Sequence, residues 1–304
     1  MLKARRILFE GANKVLRPAG LCLSRVEADF QTSRPRGALD DIVRGRLAAV
    51  WGGWYDAMSA DASVELEPML SKTEFTDGIV RFLSTYAEFS GKNVRSGGLF
   101  LNNTVSLYAV ASFFSLPTII DSGTHTGNSA WALSTACPEA TIHSFDLTNV
   151  ALAHRAPRVQ YHLNDWTETV KDPLPDGTAF GFFDDHVDQV RRIEECAVRR
   201  VRYLLFDDDV PLAASHTGHN PASFPKVSWA FSEELADCPR VEWMRLGKAH
   251  AVAVDHERLR RARECVQHYS RLPDLYPCTG CRYQWPLSLV VLRPTVTSGG
   301  QGGS

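Results

Sequence analysis

The stretch Thr118-Ile119-Ile120-Asp121-Ser122-Gly123-Thr124-His125-Thr126-Gly127-Asn128-Ser129-Ala130 decides how this chain folds. An apolar run ends in an acid, passes through two glycines and enters a helical stretch over 129–137. Glycine lets backbone approach a ligand closely, and the start of a helix presents free N–H groups. Gly123, Thr124, Gly127 and Ser129 are therefore candidate cofactor-binding residues. Asp146 lies 23 residues after Gly123 and closes the next apolar run, 141–145. From that position an acid accepts hydrogen bonds from ribose hydroxyls. The spacing Gly123-x-x-x-Gly127 departs from the G-x-G-x-x-G of dinucleotide binders. His125 stands where the middle glycine would be and crowds a pyrophosphate, which disfavours NAD.

The pattern repeats outward. Strand-like runs at 159–163, 179–183 and 203–206 precede Asn164-Asp165, Asp184-Asp185 and Asp207-Asp208-Asp209, with a helical stretch over 187–198 between the last two. Such alternation predicts an α/β fold: a doubly wound, mostly parallel sheet with helices on both faces and acids at the ligand-binding ends of its strands. Beyond it, 241–246 and 250–254 read as a hairpin through Gly247-Lys248, 257–269 as a charged helix and 287–292 as a last strand. Before it, 38–115 reads as helical, with starts near Asp40/Asp41, Thr76/Asp77 and Asn103. The expected organisation is a basic helix and connector (1–36), a helical extension (37–115), a catalytic sheet domain (116–294) and a disordered Gly/Ser tail (295–304).

Three or more carboxylates at neighbouring strand ends repel one another. A hard divalent cation such as Mg²⁺ or Ca²⁺ removes that cost through oxygen ligands. A cation there suits two neighbouring substrate hydroxyls, lowering the pKa of one. His186, beside Asp185, has the ordinary pKa of a general base.

The motif Asp121-x-Gly123-x-x-x-Gly127-x-Ser129-Ala130, with an acid ending the second strand, resembles class I S-adenosylmethionine-dependent methyltransferases. It is most similar to the metal-dependent O-methyltransferases of the catechol and macrolide-sugar types, over roughly residues 98–292. The resemblance implies a Rossmann-like methyltransferase fold. It puts Asp121 and Gly123 along the methionine part of S-adenosylmethionine, Asp146 on the ribose, Asp165 near the adenine amine and Trp166 against the ring. It also implies Mg²⁺ held by Asp185, Asp208 and Asp209. Catechol-type enzymes carry a Lys three residues after the fourth-strand acid, and macrolide-type enzymes a His. That position is Asp188 here, so His186 and Asp188 are the catalytic candidates. The implied activity is methylation of a hydroxyl on a small molecule, sugar or glycan. Two other readings stay open: a nucleotide-dependent oxidoreductase on the same sheet, and a degenerate, non-catalytic methyltransferase fold that binds a glycan or protein partner.

Composition narrows the setting. The 304 residues carry 33 Lys+Arg against 35 Asp+Glu, with 44% apolar and 22% charged residues. These values exclude a disordered or fibrous chain and give no basic excess for nucleic acid. Seven Cys is an odd count, which fits a reducing cytoplasm. No apolar run reaches the ~18 residues of a membrane span. Lys3, Arg5, Arg6, Lys14, Arg17 and Arg25 face only Glu10 in the first 25 residues. This basic amphipathic helix fits packing on the body of the protein, which its short apolar stripe favours, or peripheral contact with an anionic membrane. The leader over 16–20 resembles those of bacterial surface-glycan and lipid-linked sugar enzymes, which favours a glycan acceptor. His216 and His219 fit a mobile substrate loop, and Cys278 and Cys281 a disulfide or two packed thiols. Asn102 and Asn103 are placed to reach the cofactor, whereas Trp51, Trp54 and Tyr55 read as core. Nothing in the sequence fixes the oligomeric state.

Overall fold

The computed structural model describes residues 38–89, 99–148, 152, 154–212, 214, 223–245, 248–281 and 284–294. The expected N-terminal basic helix, the His216/His219 loop and the Gly/Ser tail lie outside the described residues. The main sheet contains β1 (Thr118–Ser122), β2 (Thr141–Phe145), β3 (Val159–His162), β4 (Ala179–Phe183), β5 (Tyr203–Phe206), β8 (Val266–Arg271) and β9 (Ser288–Leu292). Their order is β3-β2-β1-β4-β5-β9-β8. Strands β1 to β5 run parallel, and β9 inserts antiparallel between β5 and β8. This is the Rossmann-like methyltransferase fold expected from the sequence. Strand β1 has β2 on one side and β4 on the other, so the winding reverses there. Such a switch point opens a crevice beyond the carboxyl ends of the strands.

Successive strand residues face opposite sides, and both sides are covered. Ile119, Phe180, Phe182 and Tyr203 share one core with helices α1 (Ala38–Ala60), α2 (Lys72–Glu88), α3 (Leu101–Phe114) and α4 (Asn128–Ala136). Ile120, Phe183, Leu204 and Phe206 pack on the other side against α6 (Gln189–Arg199) and α7 (His256–Cys265). A short helix, α5 (Trp166–Thr169), lies between β3 and β4. In the first core Trp51, Trp54, Phe75 and Phe113 meet edge to face or stacked, with Trp54 and Phe113 centroids 5.0 Å apart. The helical extension is thus built into the sheet's own core. Helix α3 is buried on nearly every side and carries Asn102 and Asn103 inward at its start.

Two local expectations are corrected. Helix α2 starts at Lys72 rather than at Thr76/Asp77, because Ser71 and Glu74 form a reciprocal capping box. The charged helix expected over 257–269 ends at Cys265, and β8 follows with no intervening loop. Pairing with β9 outweighs the helical charge pattern there, and β8 becomes the sheet's edge. Cys278 and Cys281, at the end of helix α8 (Tyr276–Thr279), are free thiols packed at the first core, the second of the two arrangements expected. The hairpin forms as expected from β6 (Arg240–Arg245) and β7 (Lys248–Ala253). Among the described residues no helix is long and apolar enough to cross a membrane.

Candidate active site

A cavity of ≈ 390 Å³ opens at the switch point, lined by Gly123, Asp146, Asp165, Asp184, Asp185 and Arg192 among others. Its floor is the β1–α4 turn. Gly123 has φ +105°, and a Cβ there would lie 2.5 Å from the Asp184 carbonyl oxygen. The glycine therefore serves the close approach of the β1 and β4 ends, locked by the Asp184 N–H donating to the Ser122 carbonyl at 2.8 Å. Gly127 has φ +93°, and its Cβ would lie 2.4 Å from the His154 carbonyl oxygen. Its backbone freedom thus serves a chain contact, and it does not line the cavity.

Asp121 lies fully buried beneath the turn. Ser129 and Ser144 donate to its Oδ2 at 3.1 and 2.6 Å, and Thr124 pairs with Ser144 at 2.6 Å. Burial pushes the Asp121 carboxyl up to about 6. Asp121, Thr124 and Ser129 thus support the turn from below and do not line the cavity. Asp121 Oδ1, Thr126 Oγ1 and Asn128 Oδ1 are buried with no hydrogen-bond partner.

At the ribose end Asp146 accepts from the His125 N–H at 2.8 Å and from the Thr148 N–H and hydroxyl, each at 2.8 Å. Burial opposes its ionisation, but these donors outweigh it and hold the carboxyl below its ordinary range. Asp165 caps α5 and meets the Arg192 guanidinium through two bonds of 3.2 and 2.7 Å. Burial again opposes ionisation, yet Arg192 and Thr167 hold Asp165 at about 2. Trp166 corrects the expectation of an adenine contact. It is fully buried with its ring against Phe183 at 5.9 Å and does not line the cavity.

The expected cation triad does not converge. Asp185 accepts from Ser122 Oγ at 2.6 Å and from Arg192 Nε at 2.9 Å. Asp209 is fully buried, with its oxygens taken up in accepting from Tyr269 Oη at 2.8 Å, Ser288 Oγ at 2.7 Å and the Ser228 N–H at 2.8 Å. The residues brought together are Asp184, His186 and Asp208, each offering a ligand atom within 4.8 Å of the others. His186 Nε2 and Asp208 Oδ2 are 3.4 Å apart, and that contact raises the His186 pKa. The backbones of His125, His186 and Asp208 are left-handed, with φ +43°, +55° and +54°. For non-glycine residues this stores strain of about 1–3 kcal/mol each, as functional sites do.

Two features escape the sequence. Lys226 is 1% exposed, with its ammonium 5.4 Å over the Phe224 ring and within electrostatic reach of this acid cluster. Burial lowers its pKa, against the pull of Asp208, Asp209, Asp207 and Asp184. Gln189 anchors that stretch. Its side chain donates to the Asp207 carbonyl at 2.6 Å and accepts from the Val227 N–H at 3.1 Å, and its own N–H donates to the Pro225 carbonyl at 3.0 Å. Asn103 lies off the cavity lining, its Nδ2 donating to Asp207 Oδ1 at 3.0 Å and to the Trp285 carbonyl at 3.1 Å. Asn102 instead accepts from Thr279. Asp188 caps α6 and pairs with Arg258 at 2.5 Å, outside the cavity lining.

The acids give the cation-free protein a pH signature. Burial raises Asp207 to about 7, with Asp208 adding repulsion, and it raises Asp184 well above its ordinary range. Carboxyls with raised folded pKa values stabilise fully below their unfolded values and lose that contribution as pH rises through 6–7. His186 acts in the same direction. His143, His154 and His162, whose pKa values burial lowers, offset part of it below about pH 6.5. Tm is expected to fall by at least ~5 °C between pH 5.5 and 8, taking ~1.4 kcal/mol per pKa unit. A divalent cation is expected to raise Tm more at pH 8 than at pH 5.5. Thermal melts in EDTA and in Mn²⁺ check both.

No family model matches the sequence, and no curated protein does. Among solved structures, an O-methyltransferase from Bacillus cereus in complex with SAH is 12% identical, covers 81% of this chain and 100% of its own, and has a TM-score of 0.41. The O-methyltransferase TomG from Streptomyces achromogenes, involved in tomaymycin synthesis and solved with SAM, is 13% identical over 80% of this chain and 97% of its own, with a TM-score of 0.39. Human N-acetylserotonin methyltransferase with SAM is 12% identical over 84% and 70%, also with a TM-score of 0.39. Likenesses at this level carry no conclusion about activity. The fold assignment rests on the strand order.

Proposed function

We propose that the protein is an S-adenosylmethionine-dependent O-methyltransferase, assisted by a divalent cation and acting on a hydroxyl of a small molecule or sugar. One juxtaposition carries this reading: the cavity between Gly123, Asp146 and Asp165 adjoins Asp184, His186 and Asp208. When bound, S-adenosylmethionine supplies an electrophilic methyl group and the cation supplies Lewis acidity. The chain does the rest. Asp146, already oriented by His125 and Thr148, accepts the ribose hydroxyls. Asp184 and Asp208 would hold the cation through oxygen, and His186 would hold it through a neutral imidazole nitrogen. One nitrogen among oxygens shifts the preference from Mg²⁺ toward Mn²⁺ or Zn²⁺. With His186 a ligand, Lys226 remains as the buried cation that the acids around Asp208 attract, and its charge offsets theirs.

The oxidoreductase reading gains no observation. His125 occupies the middle-glycine position with its N–H committed to Asp146. Convergence of a ligand set favours a working site over a degenerate one. A glycan acceptor, a cytoplasmic setting and peripheral membrane contact are proposals carried by the sequence alone.

Calorimetry with S-adenosylmethionine tests the reading. The wild type is expected to bind, Asp146→Ala to bind about tenfold or more weakly, and Asp208→Asn to keep the cofactor while losing Mn²⁺. Absence of cofactor binding by the folded wild type would sink the proposal.

A further inference from the structure

A second constellation lies away from the switch point, on the edge strand β8. His268 Nδ1 is 2.8 Å from Asp61 Oδ2, and His268 Nε2 is 2.7 Å from Ser270 Oγ. Asp61 follows α1 and is itself held: its Oδ1 accepts from the Ser63 N–H at 2.8 Å and the Ser63 hydroxyl at 2.5 Å. A carboxylate on Nδ1 fixes the tautomer that carries its proton there and leaves the Nε2 lone pair for the serine proton. The His268 and Asp61 side chains are only 14% and 28% exposed, and Ser270 is half-buried. The arrangement is thus shielded without being sealed. Nearby, Glu65 pairs with Arg202 at 2.8 Å and with Gln267 at 3.1 Å, which fixes the 61–65 loop over β8.

The strand edge supplies the remaining element. The Leu272 N–H bonds to the Leu287 carbonyl at 2.8 Å, and the register pairs Ser270 with Leu289 and Arg271 with Ser288. Antiparallel pairing alternates, so the N–H groups of Tyr269 and Arg271 point off the open edge of β8. The Arg271 N–H thus follows the serine directly, the position from which a backbone donor stabilises an oxyanion.

We propose that Ser270, His268 and Asp61 form an acyl-transfer site, distinct from the cavity at the switch point, that takes carboxylic esters presented along the β8 edge. Ser270 Oγ adds to the ester carbonyl carbon as its proton passes to His268 Nε2. The tetrahedral adduct collapses, the C–O bond to the alcohol breaks, and the alcohol leaves with that proton. Water repeats the sequence on the acyl-serine, returning the free hydroxyl and a carboxylic acid. Asp61 is a positioning residue: it holds the tautomer and never meets the ester.

The test uses the full chain and a fluorophosphonate probe, in which an Oγ–P bond replaces P–F and fluoride leaves. A single adduct is expected on Ser270 by peptide mapping and is expected to vanish in Ser270→Ala, with Tm unchanged. Labelling is expected to slow ~10²–10⁴-fold in His268→Gln. It is expected to slow likewise in Asp61→Asn and to be partly restored in Asp61→Glu. Hydrolysis of p-nitrophenyl acetate should follow the same order. A folded wild type with no adduct on Ser270 overturns the proposal, as does His268→Gln labelling at the wild-type rate. If His268→Gln does not fold, equal rates in the two Asp61 variants overturn it instead.

Discussion

Gly123→Ala is expected to abolish cofactor binding and to cost about 3 kcal/mol or more of stability. The added methyl would sit 2.5 Å from the Asp184 carbonyl oxygen, 2.6 Å from its carbon and 2.9 Å from the Asp185 nitrogen. All three are backbone atoms, so no side chain can swing aside. The φ of +105° adds a conformational cost that any L-residue with a Cβ carries. Relief requires the β1 and β4 ends to separate, which widens the cavity and moves Asp184 away from His186 and Asp208. Chemical denaturation and calorimetry on the same variant check the two consequences. Wild-type affinity for S-adenosylmethionine in Gly123→Ala would refute the structural account of the turn.

Arg192→Met is expected to destabilise the protein by ~3–5 kcal/mol, the usual cost of removing one partner from a buried ionic network. Arg192 is 1% exposed and joins Asp165, Asp185 and Glu195 at 2.7, 2.9 and 2.6 Å. Burial alone would lower its pKa, but those carboxylates raise it, so the guanidinium is always charged. Without it, two acids of the cavity wall face each other with no counter-charge. Asp165 then loses the main support for its pKa of about 2 and is expected to titrate several tenths of a unit or more higher. Urea unfolding at pH 7 measures the stability loss, and carboxyl chemical shifts follow Asp165. A loss under ~1 kcal/mol would show that the network does not hold this wall.

The sheet was legible because its strands are short apolar runs that each end in an acid. Buried parallel strands read this way when helices cover both faces. Strand β8 was not legible. At the edge it needs apolar residues on only one side, so Gln267, His268 and Arg271 hid it among the charges of α7. The β1–α4 turn and Asp146 were placed by spacing alone. The cation ligands were not, because in Asp184-Asp185 and Asp207-Asp208-Asp209 the sequence cannot say which carboxylate faces the crevice. The left-handed turns at His186 and Asp208 make that choice, and neither residue type announces one. Lys226 was invisible because its burial depends on a stretch far along the chain. Arg192 sat in plain view on α6, but only tertiary structure shows that its partners come from β3 and β4.

Gln189 separates two kinds of change in this protein. Through three hydrogen bonds it fastens the end of β5, the start of α6 and the stretch around Pro225 to one another. Lys226 is therefore positioned from α6 and not through the residues that connect it to Val210. Ser228 adds a second hold on the same stretch, its N–H donating to Asp209 at 2.8 Å and its hydroxyl to the Val210 carbonyl at 3.0 Å. A library aimed at new acceptors should therefore leave Gln189 untouched, since changing it would release Lys226 together with the end of β5.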